Sequence, residues 1–157
     1  MRRTEREMTN PDFMFRVLED ADVVYIAMNA SGCPYLLPFN FVLHEKALFI
    51  HCAHEGRKWD LLRADPHVAF ATAVDIRVEK TTTRYRSVAG TGIASRVEDS
   101  DLKDTVLRAL AKKFNAPCAF PLLKKEFDRT ALIRVSIETM TGKHSRPEEK
   151  RPPADNA

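Results

Sequence analysis

Hydrophobic and polar positions along the chain switch between two periods, and each switch marks an element boundary. Asn10-Pro11-Asp12 offers a capping side chain, a proline suited to the first helical position and an acid in the first turn. Met14, Val17, Leu18 and Ala21 then recur at helical spacing, so the pattern predicts a helix over 11–20 lying on the core. The period next shortens to two. Residues 22–29 (DVVYIAMN) read as a strand, 30–33 as its turn, and 34–44 (PYLLPFNFVLH) as the returning strand, which its two prolines confine to an edge or irregular position.

A tight turn at Glu45-Lys46 leads into a strand over 47–53 (ALFIHCA), with Phe49, His51 and Ala53 on one face. A two- or four-residue loop sets Asn40 opposite His51, Pro38 opposite Ala53 and Val42 opposite Phe49. Asn40 and His51 are then neighbours, either a satisfied polar pair in a core or the rim of a ligand site. The strand breaks at His54-Glu55-Gly56, and a short helix over 57–64 opens on Arg57-Lys58 and stops before Asp65-Pro66. A strand feeding a glycine turn and a basic helix start offers unpaired N–H donors, a favourable macrodipole and two cations. It is either an anion seat suited to phosphate or an ordinary turn with solvated cations.

Residues 67–80 (HVAFATAVDIRVEK) alternate Val68, Phe70, Thr72 and Val74 against Ala69, Ala71 and Ala73. Small residues along one face predict that something bulky packs close to it. A long strand over 83–97 carries Gly90 and Gly92, which mark a bulge, a barrel bend or close approach by a ligand or partner. Gly90-Thr91-Gly92 lacks the later glycine and the helix of a dinucleotide fingerprint. A second amphipathic helix is expected over 100–115, capped by Ser100 or Asp99. An irregular connection follows, with a helical turn near 122–127, and a last strand over 130–140 precedes Thr141-Gly142-Lys143. About six hairpin-linked strands with two longer helices predict an antiparallel sheet closed, or nearly closed, into a barrel.

Length and charge narrow the function. With 157 residues, 44% of them hydrophobic, the chain can build one core, expected over 1–143; the charged, proline-rich stretch 144–157 is expected to be a disordered tail. The 25 basic residues balance 22 acidic ones and are spread along the chain, which argues against nucleic acid as a partner. No apolar run suits a membrane span, and MRRTEREM lacks the apolar core of a signal peptide, so a soluble cytoplasmic protein is expected. Cys33, Cys52 and Cys118 form no disulfide pattern. His51, Cys52 and His54 make a poor metal site because residues 51 and 52 point to opposite faces.

Four segments, PYLLPFNF (34–41), LFIHCAHEGRKWDLL (48–62), RYRSVAGTG (84–92) and ETMTGK (138–143), stand in an order and spacing that resembles the flavin-binding split-barrel family related to pyridoxamine phosphate oxidase, most of all its nitroimidazole-resistance branch. The resemblance implies a mainly β fold with flanking helices, a six-stranded antiparallel Greek-key split barrel that forms a homodimer and holds FMN between subunits. It also implies that Pro38, Phe39 and Asn40 border the flavin ring, that His51, Cys52 and Ala53 run beside it, and that Arg57 and Lys58 hold the phosphate. Tyr85, Ser87 and Val88 would complete the pocket, and Lys143 would approach the flavin from the last strand. The implied activity is an FMN-dependent reductase of nitroimidazole or nitroaromatic small molecules, with His51 acting on substrate, since an imidazole can exchange a proton near neutral pH. Relatives use the same barrel to bind haem or deazaflavin, so the alternatives are a non-catalytic flavin- or haem-binding module or a deazaflavin-dependent reductase. Close relatives often carry a cysteine and a longer insertion between the fourth and fifth strands. Here Lys80–Thr83 is short, so substrate access differs.

Overall fold

The computed structural model describes residues 4–145. A 3-10 turn at Thr4–Arg6 leads into β1 (Glu7–Met8), α1 (Pro11–Asp20), β2 (Val23–Met28), β3 (Tyr35–His44), β4 (Ala47–Cys52) and α2 (Arg57–Ala64). There follow β5 (His67–Glu79), β6 (Thr82–Arg96), α3 (Ser100–Lys113), α4 (Lys124–Arg129) and β7 (Ala131–His144). The sheet runs β1-β7-β4-β3-β2-β5-β6, and β6 pairs back onto β7, closing a six-stranded antiparallel barrel with β1 added outside. Among the described residues, no helix is long and apolar enough to cross a membrane.

Local chemistry sets the helix ends. Asn10 Oδ1 accepts from the Asp12 N–H at 2.8 Å and Pro11 opens α1, whose buried Met14, Val17 and Leu18 lie on the barrel. Asp99 is the cap of α3, accepting from the N–H groups of Asp101 and Leu102, and the helix stops at Lys113, two residues short of the expected end. Asp65 is extended, as a residue before proline must be, and ends α2. Inside the barrel, Ile26, Phe41, Ile50, Phe70 and Val88 form the core. Outside it, α3 covers Phe49 and Leu132 with Val106 and Leu110.

The β3–β4 hairpin has the expected register, with Val42 opposite Phe49, because Glu45 and Lys46 both adopt positive φ (47° and 60°), as a two-residue hairpin loop of matching twist requires. The ladder ends at Phe41–Ile50, however, and Asn40 does not meet His51. Beyond that pair each residue is held only from its other side: Asn40 pairs with Val23 of β2, and its Nδ2 donates to the Asp22 carbonyl at 3.2 Å, and His51 pairs with Leu132 of β7. Residues 35–40 of β3 therefore pair on the β2 side alone, which suits Pro38, a residue with no N–H to give. β3 lies inside the sheet yet is edge-like over its proline half.

Two further expectations change. Thr141-Gly142-Lys143 does not end the last strand; β7 continues to His144, and Gly142 is opposite Met8 of β1, a two-residue strand the pattern did not reveal. Ser145 does not begin a loose tail, because it is buried and exchanges hydrogen bonds with Tyr85, its N–H donating to the Tyr85 carbonyl at 3.1 Å and its Oγ accepting from the Tyr85 N–H at 3.0 Å. The rest of the expected tail, 146–157, lies outside the described residues. Gly90 and Gly92 serve closure: a Cβ at Gly90 would stand 2.2 Å from the Thr139 carbonyl oxygen, and one at Gly92 2.4 Å from that of Ser136. The β6–β7 register shifts between Thr91 and Gly92, so the pair marks a bulge where β6 lies tight against β7.

Candidate functional site: a basic turn and an alanine-lined groove

Beyond Cys52 the chain leaves β4, turns through residues 53–56 and enters α2. Gly56 sits at φ 112°, a region side-chain-bearing residues avoid, and it gives the helix no side-chain cap. An uncapped first turn presents the positive end of the macrodipole to whatever lies beyond it. Arg57 stacks over the Tyr35 ring at 4.8 Å, and Lys58 Nζ donates to the Glu55 carbonyl at 3.0 Å. A third cation comes from the end of β6, where Arg96 lies 4.1 Å over the Trp59 ring and donates to His54 Nδ1 and to the His54 carbonyl, both at 3.0 Å. Trp59 Nε1 in turn donates to the Ala53 carbonyl at 2.7 Å. Burial pushes the Cys52 thiol up, while the charges of Lys58 and Arg96 pull it down, so both cations act on the end of β4. This turn can attract and orient an anion.

A second feature occupies the outer face of the barrel. Ala69, Ala71 and Ala73 of β5 stand beside Ala27 and Ala89, leaving an open groove of about 750 Å³. Tyr25 and Leu36, 50% and 57% exposed, border it on one side, and Ser87, Thr141 and Lys143 supply its polar groups on the other. The registers connect these residues: Tyr25 pairs with Ala71, Ala71 with Ala89, and Ala89 with Thr141. Methyl-sized side chains leave this face of the sheet open at the place where the alternation predicts that something bulky packs.

The residues expected to form one pocket fall into two groups within a single chain. Ser87, Val88 and Lys143 line the groove, although the Val88 side chain belongs to the barrel core, 1% exposed. Tyr85 does not line it; its backbone is tied to Ser145. Pro38, Phe39, Asn40, His51, Cys52, Ala53, Arg57 and Lys58 are likewise absent from the groove; they lie in the half of β3 beyond its ladder with β4, at the end of β4 and at the start of α2. Phe39 packs against the core, Cys52 is half-buried, and Pro38, His51 and Ala53 are exposed. Arg96 and Trp59 escaped the sequence reading. Nothing local marks Arg96, which reaches the turn because β6 pairs with β7, and β7 with β4. Among the described residues, no cluster of metal-ligating side chains occurs.

The family described as pyridoxamine 5'-phosphate oxidase matches residues 11–144 of the chain. No curated protein matches it by sequence. Solved structures share its fold. A candidate 5-nitroimidazole antibiotic resistance protein from Bacteroides thetaiotaomicron superposes with a TM-score of 0.78 at 20% identity, covering 88% of this chain and 86% of that one. The flavocytochrome Anf3 from Azotobacter vinelandii gives 0.78 at 18% identity, covering 96% and 75%. An FAD and haem binding protein from Mycobacterium smegmatis gives 0.76 at 20% identity, covering 92% and 77%.

Proposed function

The chain belongs to the pyridoxamine 5'-phosphate oxidase family, and from that membership and the geometry of its site we propose that it is a cytoplasmic, FMN-dependent oxidoreductase that reduces nitroimidazole or related nitroaromatic small molecules. The observation that carries the reading is the uncapped start of α2 with Arg57 and Lys58 at its first two positions, a donor set suited to a terminal phosphate monoester. Flavin, when bound, supplies electron transfer that side chains alone cannot. The protein's part is to bind, orient and exclude water. Arg57 and Lys58 neutralise the phosphate; Pro38, Phe39 and Asn40 border the ring; and Lys143, with Ser87, places charge and a hydroxyl at the polar wall of the groove. In one chain the phosphate group of residues and the groove are separate, which supports a homodimer in which a second copy brings them together.

The absorbance spectrum of freshly purified protein, with acid release of the chromophore, tests the cofactor: paired near-ultraviolet and blue bands identify flavin, and an intense Soret band identifies haem and overturns the reading. Lys58→Ala is expected to weaken FMN binding about tenfold while leaving riboflavin nearly unaffected, since a charge-assisted contact to phosphate contributes roughly 1.5–3 kcal/mol. Equal losses for the two ligands remove Lys58 from the phosphate.

His51 is the side chain assigned to act on substrate. It is exposed at the end of β4 and does not hold Asn40, so His51→Ala is expected to leave stability within about 0.5 kcal/mol of the parent. The variant should retain flavin yet slow its anaerobic reoxidation by a nitroimidazole. An unchanged rate per bound flavin rules out a part for His51 in the reaction.

A further inference from the structure

The turn that receives the phosphate has little of its own to hold it in shape. Gly56 contributes no side chain, α2 has no side-chain cap, and the exposed His54 and Glu55 have no core to pack into. Its side-chain bonds come from outside the turn: Lys58 Nζ holds the Glu55 carbonyl, Trp59 Nε1 holds the Ala53 carbonyl, and both terminal nitrogens of Arg96 hold His54. A guanidinium can only donate, so the His54 Nδ1 that meets Arg96 is an acceptor, and the proton of the neutral imidazole is placed on Nε2. The planar fork fits this task because it can lie flat on Trp59 while reaching two acceptors of one residue. A lysine ammonium, with no plane to stack, cannot do both.

We propose that Arg96 is a positioning residue for the phosphate seat: it fixes the His54–Gly56 turn and the tautomer of His54, so that the start of α2 is set before the anion arrives. The inference rests on the reading of that turn as the phosphate site. Arg96 acts through His54 and Trp59, and its charge adds to that of Lys58 at the end of β4.

The test compares the affinities of the full-length protein for FMN and riboflavin in Arg96→Lys, His54→Ala and Lys58→Ala, with melting temperatures and the ¹⁵N signals of His54 measured without ligand. Arg96→Lys, which keeps the charge, is expected to lose about tenfold in FMN affinity with little change for riboflavin and to release His54 into a mixture of tautomers. His54→Ala, an exposed site that should fold whatever Arg96→Lys does, is expected to show the same phosphate-selective loss. If Lys58→Ala discriminates the two ligands while both other variants bind them in the parental ratio, Arg96 has no positioning role and the phosphate reading stands. If Lys58→Ala does not discriminate them either, the phosphate reading falls and takes the inference with it. A loss of FMN and riboflavin in equal measure with a lowered melting temperature would make Arg96 merely structural.

Discussion

Gly90→Ala is expected to destabilise the ligand-free barrel by about 3 kcal/mol or more, although it adds a single methyl group. The new Cβ would stand 2.2 Å from the Thr139 carbonyl oxygen and 2.6 and 2.9 Å from two atoms of the Phe70 ring. Neither neighbour can yield cheaply. Thr139 lies opposite Thr91 in the β6–β7 ladder that closes the barrel, and Phe70 is a core residue, 2% exposed. For a domain of this size the loss corresponds to a fall in melting temperature of roughly 6–12 °C. Gly32→Ala provides the contrast: a Cβ there meets nothing within 4 Å, and only the φ of 82° opposes it, so a cost near 1 kcal/mol is expected. Chemical denaturation of both variants separates steric closure from backbone strain. A Gly90→Ala protein within about 1 kcal/mol of the parent would mean that β6 and β7 do not lie as close as described.

The contrast between these glycines also shows what the sequence could reveal. Features decided by adjacent residues were legible: Asn10-Pro11 starts α1, Asp65-Pro66 ends α2, and Ala69, Ala71 and Ala73 share one open face of β5. The register of the β3–β4 hairpin was legible because its two-residue loop fixes it. The rest was not. The Asn40–His51 pairing fails because the β3–β4 ladder stops one pair earlier, at Phe41–Ile50, which the loop that sets its register does not decide. Gly142 was placed beyond the last strand, yet it lies within β7 and keeps it open to β1 and α1, since a Cβ there would stand 2.9 Å from Met14 Cγ and 3.0 Å from the Met8 carbonyl oxygen. Arg96 reaches His54 across 42 residues of sequence and belongs to no motif that marks the turn.

Ala71→Arg is expected to leave the isolated chain folded and to abolish what the groove does. Ala71 is exposed and lies mid-groove between Tyr25 and Ala89, so the longer side chain can extend into solvent and stability should stay within about 1 kcal/mol of the parent. Any larger effect must come from the occupant. A flavin ring or a second copy of the barrel seated on the alanines would bury an unpaired guanidinium, and a twofold dimer would bury two of them facing each other. Flavin affinity is expected to fall by at least about a hundredfold, a loss of roughly 2.7 kcal/mol. Light scattering is expected to show a monomer, against the dimer proposed for the parent protein. A flavin-free dimer would make the groove a ring seat alone, and a monomer that still binds FMN would make it an interface alone. A variant that remains dimeric and retains flavin would leave the alanine face without a part in either.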